Sequence, residues 1–125
     1  MEAVKYRSLC NWKYELLEDE HFTTSVFGYA CKTEYIMLWD DGRLILYKGY
    51  AWDGATCCPD VPSIMRGSAG HDALYQLIGL GAIPEAKRFN ADFDLYRWCK
   101  DDGMDDIRAN AVLSAVRQFG GLFSG

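Results

Sequence analysis

The stretch GSAGHDALY, residues 67–75, sets one of the chain's two histidines, His71, beside Asp72 and one helical turn before Tyr75. Residues four apart on a helix share a face, so His71 and Tyr75 stack while Asp72 points about 100° away. Ala73, Leu74, Leu77 and Ile78 supply the apolar stripe of that helix and leave His71 at its edge. Further on, in NADFDLY, Asp92 lies at helical spacing with Phe89, Leu95, Tyr96 and Cys99, a face whose composition predicts burial. Asp94 falls with Arg97 and Asp101 on a wetter one. A carboxylate on a buried face is costly unless it is paired, and the preceding helix offers an imidazole. A carboxylate that accepts from one ring nitrogen fixes the tautomer and frees the other nitrogen to take a proton from water or a hydroxyl. Unperturbed imidazoles titrate near about 6.5, so such a pair can act as a general base at neutral pH, worth about 10²–10⁴ in rate. The plainer alternative is a histidine that packs and finds one hydrogen bond.

Three helical stretches position these groups: 63 or 64 to about 79, 84 to about 102, and 105 to about 119. Pro84 suits the first turn of the second, Gly103 ends it, Asp105 caps the third and Gly120-Gly121 stops it. The first 52 residues read instead as strands, rich in aromatic and β-branched types. Asp41-Gly42 between two apolar runs is a hairpin signal that pairs 35–39 with 43–47. Between the halves, WDGATCCPDVPS carries Gly54, Pro59 and Pro62 and marks a loop over 53–63. Strands followed by helices indicate one α+β domain, β-rich over 1–52 and helical over 64–121.

The 125 residues carry a net charge of −5, and the basic residues are scattered singly. Nucleic acid is therefore not the expected partner. No apolar run approaches the roughly 20 residues that span a bilayer, and the N-terminus lacks the regions of a signal peptide, so a cytoplasmic location is expected. Five cysteines without a CxxC read as reduced thiols. Cys57-Cys58 as a nucleophile has no histidine near it in sequence.

The segments GYAWDGATCCPDVPS, GSAGHDALY, NADFDLY and LSAVRQFGG resemble a phage and prophage domain family of unknown function, marked by HDxLY and AVRxFG, over roughly 35–121. More distantly, the order of a loop Asp, a Pro-containing loop, an HD pair and a second-helix Asp is similar to prokaryotic phospholipase A₂. That resemblance implies an antiparallel helix pair in which His71 is the base, Asp92 its orienting carboxylate and Tyr75 a supporting hydroxyl. It implies a calcium ion on Asp53, the Gly54 carbonyl and Asp72, a donor set that suits a hard cation. The secreted enzymes carry a cysteine three positions before the histidine, bridged to the second helix; here that position is Ser68, so Cys99 has no such counterpart. The strand-rich first third also has no equivalent there.

Two functions follow as expectations. One is a phage-encoded, calcium-assisted hydrolase of an ester or amide, with membrane phospholipid first among its substrates. The other is a non-enzymatic virion or tail protein, or an inhibitor of a host protein, that keeps the pair as a structural link and meets its partner through Trp12, Tyr14, Phe22, Phe27 and Tyr29. Each site residue has a plainer role beside it: Asp53 a turn former, Asp72 a solvated helix residue, Asp60 a loop cap, Tyr75, Trp52 and Trp98 core, and His21 an exposed strand residue.

Overall fold

The computed structural model describes residues 4–9, 13–55 and 58–119. Trp12, Cys57 and Gly120-Gly121, which figured in the sequence reading, lie outside the described residues. The fold is α+β, with two antiparallel sheets followed by three helices. Strands β1 (Tyr6–Leu9) and β2 (Lys13–Leu16) form one sheet with β7 (Ala51–Trp52); β3 (Glu20–Thr23), β4 (Cys31–Lys32), β5 (Ile36–Leu38) and β6 (Arg43–Leu46) form the other in the order β3-β6-β5-β4. The Asp41-Gly42 hairpin joins β5 to β6 and pairs Leu38 with Leu44 and Ile36 with Leu46. Strand side chains alternate between faces, and these four aliphatic residues all point into the core.

The outer edge of β3 is closed by side chains rather than by another strand. The His21 carbonyl accepts from Arg66 Nη1 at 3.5 Å, and the Thr23 carbonyl accepts from Arg97 Nη2 at 3.0 Å and Trp98 Nε1 at 3.2 Å. An open edge invites further strand pairing, and these donors occupy it. His21 itself is exposed, as its strand position implied.

Helix α1 (Pro62–Gly79) opens on Pro62, whose missing N–H costs nothing in a first turn. The loop before it is therefore shorter than the sequence suggested. A one-turn 3₁₀ helix (Glu85–Lys87), with Pro84 at its N-cap, leads into α2 (Arg88–Asp101). Asp105 Oδ1 caps α3 (Asp106–Phe119) by accepting from Arg108 N at 2.8 Å. Helices α1 and α2 run antiparallel: Arg66 pairs with Asp102 near one end, Gly67 meets Leu95 and Cys99, and His71 reaches Asp92 further along. Gly70 sets their separation, because a Cβ there would lie 2.7 Å from Trp98 Cζ3 and 2.9 Å from Phe22 Cε2.

One core lies between the sheets and α1, around Leu38, Leu44, Trp52, Leu74 and Trp98. A second joins the helices through Ile64, Leu95, Cys99, Val112 and Val116. Each such side chain stabilises the fold by about 1.5–3 kcal/mol when fully buried. The buried stripe of α1, Ala73, Leu74, Leu77 and Ile78, is where its periodicity placed it.

Three expectations fail against this packing. Asp94 is not on a wet face but fully buried, because α2 leans on the chain after β3, where Asp94 accepts from Ser25 N at 2.9 Å and Arg97 Nη2 at 2.8 Å. Phe89 is 53% exposed rather than buried, since α1, α3 and the β3 connection take the other sides of α2. Phe22, proposed for a partner surface, belongs to the core. No helix among the described residues is long and apolar enough to cross a membrane.

Candidate functional site

The centre of the site is a carboxylate that α2 carries into the interior. Asp92 has no accessible surface, and its two oxygens contact three side chains. His71 Nε2 lies 2.7 Å from Oδ1, the Tyr75 hydroxyl donates to the same oxygen at 2.5 Å, and Arg117 Nη1 donates to Oδ2 at 2.7 Å. His71 and Tyr75 come from successive turns of α1, their ring centroids 4.3 Å apart, and Arg117 from the last turn of α3. One acid thus ties together all three helices.

The electrostatics assign the protons. Burial pushes the Asp92 carboxyl up, but hydrogen bonds from His71, Tyr75 and Arg117 outweigh it, and the group is held below its ordinary value of 3.8. An ionised carboxylate only accepts, so Nε2 of His71 carries the hydrogen of the 2.7 Å contact. Whenever the ring carries a single hydrogen, Nδ1 is then the nitrogen open to a proton. Tyr75 stays protonated, because burial first and the Asp92 carboxylate second push its hydroxyl far above the usual phenol range. The His71 side chain keeps 15% exposure, so water can reach the ring while its partner stays dry.

The fold brings together His71, Asp92 and Tyr75, the residues whose types and spacing point to a site, and adds Arg117, which no such signal marks. The AVRQFG stretch contains that residue, yet its partner depends on how α3 crosses α2, which no spacing within α3 encodes.

The three candidate calcium ligands are placed less tightly. Asp53 follows β7 and is exposed, as is Asp72. Both carboxylates act on the buried Tyr50 hydroxyl, which lies 3.5 Å from Asp72 Oδ2 and 3.4 Å from Gln76 Oε1. Burial first, and Asp72 and Asp53 after it, push that phenol well above its usual range. Gly54 takes a φ of +84° and packs so close to Asp60 that a Cβ would lie 2.8 Å from its carboxylate oxygens. Asp60 braces this turn by accepting from Ala55 N and the Tyr14 hydroxyl, both at 2.9 Å. Among the described residues no group of three or more His, Cys, Asp or Glu side chains converges. The oxygens on offer are two carboxylates and a carbonyl, which fit a hard cation only with water completing its shell.

Ser68 faces β7 and not α2: its hydroxyl accepts from Trp52 Nε1 at 2.9 Å and donates to the Met65 carbonyl at 2.8 Å. Cys99 is a buried thiol set against Gly67. Searches among known families, curated proteins and solved structures return no match to this chain.

Proposed function

We propose that this chain is a phage-encoded hydrolase of an ester or amide, with His71 as general base and Asp92 as the residue that orients it. The carrying observation is the 2.7 Å contact of His71 Nε2 with a fully buried carboxylate, which commits one ring nitrogen and leaves Nδ1 for a proton. As a water oxygen attacks the carbonyl carbon, its proton passes to Nδ1. Asp92 stabilises the imidazolium so formed, and the same proton then goes to the departing oxygen or nitrogen. Tyr75 and Arg117 hold the carboxylate in position.

Asp53, Asp72 and the Gly54 carbonyl would hold the calcium ion that the phospholipase resemblance implies, and such an ion polarises the substrate carbonyl when bound. An apolar cleft of about 490 Å³, lined by Ile64, Met104, Val112 and Ala115, suits a substrate with an apolar body. Ile64 precedes His71 by two helical turns on nearly the same face of α1, about 10 Å along the axis.

The test is hydrolysis of a chromogenic ester and of phosphatidylglycerol vesicles, with calcium and with chelator. Turnover that His71→Asn abolishes supports the proposal. A folded wild type without turnover on either substrate, or turnover that His71→Asn leaves intact, overturns it. If Asp72→Asn leaves any calcium-induced rise in melting temperature unchanged, Asp72 holds no ion.

A second reading has an observation of its own: Asp92 draws donors from both flanking helices and has no exposure, as suits a structural clasp. Under it the protein is a virion or tail component or a host-protein inhibitor. His71→Ala then lowers stability by several kcal/mol and no hydrolysis is found, whereas under the first reading the variant stays folded and inert.

A further inference from the structure

The outer face of α2 carries an aromatic stripe with a charged pair at each end. Phe89 and Phe93 are 53% and 41% exposed, with ring centroids 6.0 Å apart, and Tyr96 continues the row 5.6 Å from Phe93. Spacings of four, three and four put Phe89, Phe93, Tyr96 and Lys100 on one side of the helix. The cations that border the stripe each meet a carboxylate already. Arg88 Nη1 lies 2.8 Å from Glu85 Oε1, Lys100 Nζ 2.9 Å from Asp106 Oδ1, and Arg117 Nη1 2.7 Å from the buried Asp92. The face is therefore neutral, although the chain as a whole carries −5, and it selects neither an anionic surface nor a cationic partner. Its charges do have an order. Glu85 stands eight residues before Phe93 and Lys100 seven after it, while Phe89 and Tyr96 stand four before and three after.

We propose that this face pairs with the same face of a second copy of the chain, α2 against α2 about a two-fold axis at Phe93. Such an axis reverses one helix against the other, so a surface fits itself only if its two ends are complementary. These ends are. Glu85 of one copy comes beside Lys100 of the second and Phe89 beside Tyr96, and each contact is made twice. The Glu85–Arg88 pair of one copy thus meets the Lys100–Asp106 pair of the other, and four charges join in one network, which holds where a single surface pair does not. Alternating spacings of four and three are those by which two helices interlock their side chains, and aromatic rings gain from packing on one another. Three rings on a helix of 14 residues bury less than a permanent dimer needs, so the association is reversible. Arg117 joins this face to the site, since its guanidinium touches both the Phe89 ring and Asp92 Oδ2, and the variants that test the pairing leave Arg117 and Phe89 in place. The inference stands apart from the hydrolase reading, because association is measured without turnover.

The experiment is sedimentation velocity of the full chain from about 10 μM to about 1 mM, on the wild type, Phe93→Ser, Glu85→Lys and Lys100→Glu. The expected result is a monomer–dimer equilibrium that Phe93→Ser abolishes within this range. Glu85→Lys alone sets lysine against lysine at both ends of the pair, and Lys100→Glu alone sets glutamate against glutamate, so each weakens association about tenfold or more. Mixed one to one, these two variants recover wild-type association, since every end then meets its opposite. Circular dichroism shows whether each variant is folded; if Phe93→Ser is not, the mixing experiment decides. A chain that is monomeric throughout, a dimer indifferent to Phe93→Ser, or a mixture no stronger than its parts overturns the proposal. A monomer that partitions onto lipid vesicles overturns it as well, because the face then serves a membrane.

Discussion

Arg117 Nη1 lies 2.7 Å from Asp92 Oδ2, the oxygen that His71 does not use. The guanidinium thereby shares the negative charge that orients the imidazole, and it does so from a half-exposed position at the end of α3.

Arg117→Gln is therefore expected to cost roughly 1–2 kcal/mol at pH 7, a charged hydrogen bond discounted for exposure. The sign with pH is fixed. Because the folded state holds Asp92 below 3.8, its contribution is complete above that value and vanishes as pH falls through the lower folded value. Urea melts of variant and wild type should diverge at neutral pH and converge in strong acid. A gap that stays constant with pH would remove Arg117 from the network.

Asp92→Asn should be the harsher change. It leaves a guanidinium and an imidazole facing a neutral amide in a dry site, so a loss of about 3–5 kcal/mol is expected in thermal or denaturant melts. Hydrolysis, if the variant is assayed below its melting temperature, should fall by about 10²–10⁴.

Glu20 carries the opposite sign. Burial raises its carboxyl above 4.5, with Asp102 and Glu18 adding to the rise and Arg66 and His21 opposing it. A raised folded value means that stability is greatest below about 4.5 and declines as pH rises through it. Glu20→Gln should accordingly be more stable than wild type at pH 7 and equal to it near pH 3, as read from paired melts.

Gly70→Ala should destabilise by about 1–3 kcal/mol, because the added methyl meets rigid rings of Trp98 and Phe22 at under 3.0 Å. Calcium or lipid should not restore it. A neutral result would mean that α1 and α2 are further apart than the His71–Asp92 contact requires.

Much of this arrangement was legible in the chain itself. The α+β order, the Asp41-Gly42 hairpin, the Asp105 cap and the His71–Tyr75 stacking follow from spacing that acts within one helix or one turn, and the apolar residues around Asp92 on its own helix mark it as an acid that needs a partner. What failed depended on which side of α2 meets which neighbour. Asp94 read as solvated because its partners, Ser25 and the β3 connection, come from the far half of the chain. Phe89 read as core because apolar spacing shows that a face is hydrophobic, not that anything covers it. Arg117 escaped for the same reason as Asp94: its acid lies on another helix.

The tautomer of His71 decides whether Asp92 orients a base. In a long-range ¹H–¹⁵N spectrum at alkaline pH, a single Nε2–H ring with bare Nδ1 is expected, giving way to mixed tautomers in Asp92→Asn. A wild-type ring protonated at Nδ1, or a tautomer that Asp92→Asn leaves unchanged, would contradict it.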